Sequence, residues 1–106
     1  MTRLIELKRC ADEGGTFVSV GGRELAVFRS GDDVTVIDNS CPHAGGNLSG
    51  GDMTDGVVEC PWHNWRFDLR TGVCEHAANV RVARYTAAVR DGWVFAELPD
   101  GRSSPG

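Results

Sequence analysis

Cys41-Pro42-His43-Ala44-Gly45-Gly46-Asn47-Leu48-Ser49 and Cys60-Pro61-Trp62-His63-Asn64-Trp65-Arg66-Phe67-Asp68-Leu69-Arg70-Thr71-Gly72 are the two stretches around which this 106-residue chain is read. Each offers one thiolate and one imidazole at close spacing. Residues two apart in extended backbone project the same way, so Cys41 and His43 suit one side of a loop, while the wider pair Cys60 and His63 suits a turn. Each Cys is followed by Pro, which fixes its own φ, removes a backbone donor and pushes the preceding Cys out of helical conformation. Both stretches therefore read as loops.

The mixed donor set narrows the chemistry. Zinc accepts two Cys and two His, but its finger spacing places the two Cys together and the two His together. A [2Fe-2S] centre with two Cys on one iron and two His on the other takes two mixed pairs directly. Four residues that merely pack is the plainest reading, and the repetition of Cys-Pro with a nearby His argues against it.

The two stretches resemble the cluster loops of the Rieske family, specifically its small soluble ferredoxins, and strand-like flanks from about Leu4 to Leu98 extend the likeness over nearly the whole chain. The resemblance implies one Rieske-type [2Fe-2S] cluster, with Cys41 and Cys60 on the inner iron and His43 and His63 on the outer one. It implies an all-β, Rieske-like β-sandwich or partial barrel with a small cluster-binding subdomain inserted. On this reading residues 1–98 form a single domain, the subdomain covers about 39–79, and 99–106 are a flexible C-terminal tail.

The resemblance also selects a branch. High-potential members carry an additional Cys in each loop, joined as a disulfide, and here those places hold Gly46 and Trp62. They also use a Ser and a Tyr to hydrogen-bond the sulfurs, where this chain has Trp65 and Phe67. Donors aimed at sulfur stabilise the added negative charge of the reduced state, so their loss lowers the potential. The implied function is a one-electron carrier between a flavin-dependent reductase and a terminal oxygenase. The alternative is the small Rieske subunit of an assimilatory nitrite reductase or a similar complex. Oxygen chemistry in the family occurs at a second iron held by two His and a carboxylate. Only His76 remains after the two ligand His, so an electron-transfer component and not an enzyme is expected.

Composition agrees. The formal net charge of −4, from 11 Lys plus Arg against 15 Asp plus Glu, argues against a nucleic-acid partner and permits docking on a basic protein face. No apolar run is long enough to span a bilayer, and Met1-Thr2-Arg3-Leu4-Ile5-Glu6 lacks a signal-peptide core, so no membrane partner and a cytoplasmic location are expected. Cys10 and Cys74 are left over, and read as reduced thiols suited to a reducing compartment.

Strand signals fill the flanks. Leu4–Leu7, Thr16–Val20, Glu24–Phe28 and Val34–Ile37 are β-type runs, with Asp12–Gly15, Gly21-Gly22 and Gly31-Asp32 as turns. Val57–Glu59 and Arg66–Asp68 read as short strands between the loops, and Arg84–Arg90 with Trp93–Leu98 as a hairpin across Asp91-Gly92. No segment has helical periodicity. In the family a Pro-containing loop forms a third wall of the site; the corresponding stretch here, Glu75-His76-Ala77-Ala78-Asn79, has no Pro.

Overall fold

Leu25-Ala26-Val27-Phe28 is buried at every position, which a strand permits only when both of its faces are covered. In the computed structural model, which describes residues 1–42, 46–61 and 65–98, this run is the centre of β3 (Arg23–Ser30). β3 lies between β2 (Gly14–Val20) and β4 (Asp33–Asp38) in an antiparallel sheet that ends with β8 (Arg84–Tyr85). Successive side chains of a strand point to opposite faces, and the two faces of this sheet feed two separate cores. Leu25, Val27, Val18 and Val36 pack with Val94 and Ala96. Ala26, Phe28 and Ile37 pack with Cys41, Leu48, Val58, Cys60 and Phe67.

The first core is closed by a second antiparallel sheet, in which β10 (Trp93–Ala96) sits between β1 (Thr2–Glu6) and β9 (Ala87–Arg90). The other core is closed by a small third sheet of β5 (Asp52–Thr54), β6 (Val57–Glu59) and β7 (Arg66–Asp68). Each wholly buried Phe, Leu or Val contributes roughly 1.5–3 kcal/mol relative to exposure, so the double burial of β3 anchors both halves. Among the described residues there is no α-helix, only 3-10 turns at Leu7–Arg9 and Leu48–Gly50, and no helix long and apolar enough to cross a membrane. The all-β architecture expected from the sequence is thus observed, with a small sheet between the two halves of the chain.

The turns follow their chemistry. Gly21-Gly22, Asp55-Gly56 and Asp91-Gly92 each place two residues at positive φ, the pattern of a two-residue hairpin whose twist matches its strands. The expected turn at Asp12–Gly15 is shorter. Glu13 takes the left-handed conformation at φ 56°, and Gly14 and Gly15 already belong to β2. Arg84–Arg90 is not one strand. It breaks at Thr86, so that Arg84–Tyr85 pairs with β4 and Ala87–Arg90 pairs with β10. The Thr86 carbonyl at the crossing accepts the Glu97 N–H at 2.8 Å.

A polar contact locks that crossing to the end of β4. The Tyr85 hydroxyl donates to Asp38 Oδ1 at 2.5 Å and accepts from Arg23 Nη1 at 3.1 Å. Burial, and then the hydrogen bond to the Asp38 carboxylate, push the Tyr85 phenol above its ordinary pKa. Cys10 and Cys74 are buried in different cores and are not joined to each other. Burial also raises the Cys10 thiol pKa, against the opposing pull of Arg29.

Candidate metal centre

Two loops of equal length leave the second core and return to it. The Cys41 N–H donates to the Gly46 carbonyl at 2.9 Å, and the Cys60 N–H donates to the Trp65 carbonyl at 2.7 Å. Each loop therefore closes over six residues, begins with Cys-Pro, and keeps its Cys in the core with its Pro at the surface. Cys41 is 2% exposed and Cys60 fully buried. Both sulfurs belong to one apolar cluster with Leu48, Val58, Leu69 and Phe67. His43, His63 and Trp62 fall within these loops in sequence and lie outside the described residues, as does the expected tail at 99–106.

The supports of the two loops differ. The first is entered from β4 through Asn39 and Ser40 and left through Asn47, which forms an isolated bridge with Ser40. Asn39 is the one buried polar side chain among the described residues, and its amide bonds Asn47 and the Ser49 N–H. In sequence the insert starts near Asn39, which reads there as a boundary residue without a role of its own. The signal available was a polar residue with strong turn chemistry directly after a buried strand.

The second loop is entered from β6 and left into β7. Met53 opposite Val58, Val58 opposite Phe67, and Phe67 opposite Cys74 form one inward row across the small sheet. That row explains the burial of Cys74. Gly51 directly precedes Asp52, which pairs with Glu59, the residue before Cys60. A Cβ there would overlap the Glu59 carbonyl oxygen and lie 3.1 Å from Val58 Cγ2, so the backbone next to Cys60 approaches as only Gly permits. The reason for this glycine is therefore the packing of one strand on the next. Gly50 beside it meets nothing.

The stretch without Pro is held by other means. The Val80 N–H bonds the Ala77 carbonyl at 2.9 Å, the Cys74 N–H bonds the Val80 carbonyl at 2.9 Å, and the His76 N–H approaches Cys74 Sγ at 3.4 Å. The Glu75 N–H donates to the Arg66 carbonyl at 2.7 Å, and the same two side chains form an ion pair at the surface. His76 is exposed, with its ring 6.2 Å from that of Trp65 and tilted by 42°. Asp68 and Arg70 brace the following turn through two side-chain contacts and the Arg70 N–H, and these bonds hold the Asp68 carboxyl below the usual range.

The donor chemistry fits an iron-sulfur group. Two thiolates in an apolar core are costly to bury as bare anions, and coordination to metal removes that cost. The matched closure brings both Cys to one apolar base, which is what a group shared between the loops requires.

Comparison with known proteins agrees with this geometry. A family model described as Rieske [2Fe-2S] domain matches residues 4–86. The anthranilate 1,2-dioxygenase ferredoxin subunit of Burkholderia cepacia is 39% identical over 75 residues, which cover 70% of this chain and 69% of that protein. Cholesterol 7-desaturase of Drosophila melanogaster is 44% identical over 61 residues, 56% of this chain and only 14% of the much longer desaturase. Among solved structures, the ferredoxin of carbazole 1,9a-dioxygenase from Nocardioides aromaticivorans IC177 superposes with a TM-score of 0.82 at 32% identity, covering 90% of this chain and 94% of that one.

Proposed function

This chain belongs to the Rieske [2Fe-2S] domain family, and on that premise we propose that it is a one-electron carrier in which Cys41 and Cys60 hold one iron of a [2Fe-2S] cluster and His43 and His63 hold the other. The observation that carries the reading is the pair of identically closed Cys-Pro loops whose sulfurs share one buried apolar cluster. When bound, the cluster supplies a reversible one-electron couple.

The chain's own residues set the conditions for that couple. Leu48, Val58 and Phe67, all fully buried, keep water from the thiolate side. Phe67 presents only C–H groups where a hydroxyl would stabilise the reduced state, and Trp65 likewise has no hydroxyl. The sole His outside the ligand set, His76, is exposed, and a facial triad needs two. These residues thus offer no second iron site of that kind, which supports the reading of this domain as one that delivers electrons. Its donor is a flavin-dependent reductase and its acceptor a terminal oxygenase, in keeping with the dioxygenase ferredoxins it resembles. Residues 1–98 act as one domain with the cluster-binding part at about 39–79, in the cytoplasm.

Redox titration tests this reading. The midpoint is expected near the lower end of the Rieske window, about −150 mV. A value well above zero would contradict it.

A further inference from the structure

Asn39 lies directly after β4 and two residues before Cys41, and it is 1% exposed. Each of its polar atoms is bonded. Its N–H donates to the Glu24 carbonyl at 3.0 Å, and its carbonyl accepts the Leu48 N–H at 2.7 Å. Its side-chain Oδ1 accepts the Ser49 N–H at 2.9 Å, and Nδ2 donates to Asn47 Oδ1 at 3.0 Å. One residue at the entrance of the first loop thus holds three consecutive residues at its exit, and is itself tied to β3.

We propose that Asn39 is a positioning residue for the cluster, fixing through Asn47 the mouth of the loop that presents Cys41. The inference rests on the reading of Cys41 as a ligand. Without this side-chain amide the mouth keeps only backbone contacts: the Ser40 and Asn47 bridge, the Cys41 to Gly46 bond and the Leu48 N–H bond to the Asn39 carbonyl, none of which fixes the Asn47 side chain. Asn has the shape the place requires. Its amide donates and accepts at once, whereas a carboxylate of the same size only accepts and an apolar residue does neither. A buried amide with both ends engaged also selects one geometry, because any shift of the loop exit leaves a polar atom unsatisfied.

Asn47 offers the test, because it is exposed and its replacement leaves the core intact. Asn47→Ala removes the acceptor of the Asn39 amide. Asn47→Asp keeps an acceptor oxygen and should restore the clamp. Iron release from the intact protein to excess chelator, measured well below unfolding, and the EPR spectrum of the reduced protein are the readouts. Asn47→Ala is expected to release iron about fivefold faster, the factor for one hydrogen bond, with an altered EPR line shape. Asn47→Asp should stay close to the parent in both. Release at the parent rate in Asn47→Ala, or equal acceleration in both variants, overturns the inference and leaves the ligand assignment standing. A parent protein that binds no iron overturns the ligand assignment, and this inference with it.

Discussion

Changing Cys60 to Ala is expected to leave a protein without iron that unfolds about 10–20 °C below its parent. Burial alone gives no reason for such an effect at this cysteine. Cys10, Cys41, Cys60 and Cys74 are all buried, at 5%, 2%, 0% and 2% exposure. What separates Cys41 and Cys60 from the others is their place at the base of the two matched loops. A metal site that forms only in the folded chain adds its binding free energy to folding, so loss of a ligand costs far more than a missing sulfur. Cys74→Ala is the control. It removes one buried sulfur and a long contact from the His76 N–H, a cost of about 1 kcal/mol, and should keep two irons per chain. Iron content and thermal unfolding of the two variants, measured side by side, check the contrast. Equal iron in both would overturn the assignment of Cys60.

Gly51→Ala is expected to destabilise the protein by about 2–3 kcal/mol and to lower its iron content as purified. The added methyl meets a backbone carbonyl, that of Glu59, which no side-chain rotation can move aside. To make room, β5 must part from β6, and β6 leads directly into Cys60. Gly51 has φ −81°, so the cost comes from contact and not from backbone conformation. Gly50→Ala, one residue away in open space, should change stability by less than about 0.5 kcal/mol. Chemical denaturation of the pair separates the effects, and equal stability of the two variants would show that the close approach at Gly51 is unimportant.

Much of this was legible in the residues. Cys41-Pro42 and Cys60-Pro61 carry their chemistry in local spacing, and Val57–Glu59 and Arg66–Asp68 appear as strands at those bounds. Runs such as Leu25 to Phe28 announce a strand because they are short, apolar and unbroken, end in β-type Val27 and Phe28, and lie between Gly-rich turns. Their division between two cores is a property of the partners on either face, so it appears only in three dimensions. The break at Thr86 was hidden for a related reason. Nothing in Arg84-Tyr85-Thr86-Ala87 marks a change of sheet, which is imposed by pairing with β4 on one side and β10 on the other. The hairpin at Asp55-Gly56 did carry its Asp-Gly signal, but the three-residue strand before it is too short to stand out in sequence. Asn39 carries a hint in its turn chemistry after a buried strand, but its contact with Ser49, like the close approach of Gly51 to Glu59, is made across the fold and is not written in the local sequence.

The ligand set is the centre of the account, and pulsed EPR of the chemically reduced protein reads it directly. Coupling of the unpaired electron to the nitrogens of two coordinated imidazoles is expected, lost stepwise in His43→Cys and His63→Cys. A spectrum without nitrogen coupling, or a colourless protein with stoichiometric zinc, would contradict it.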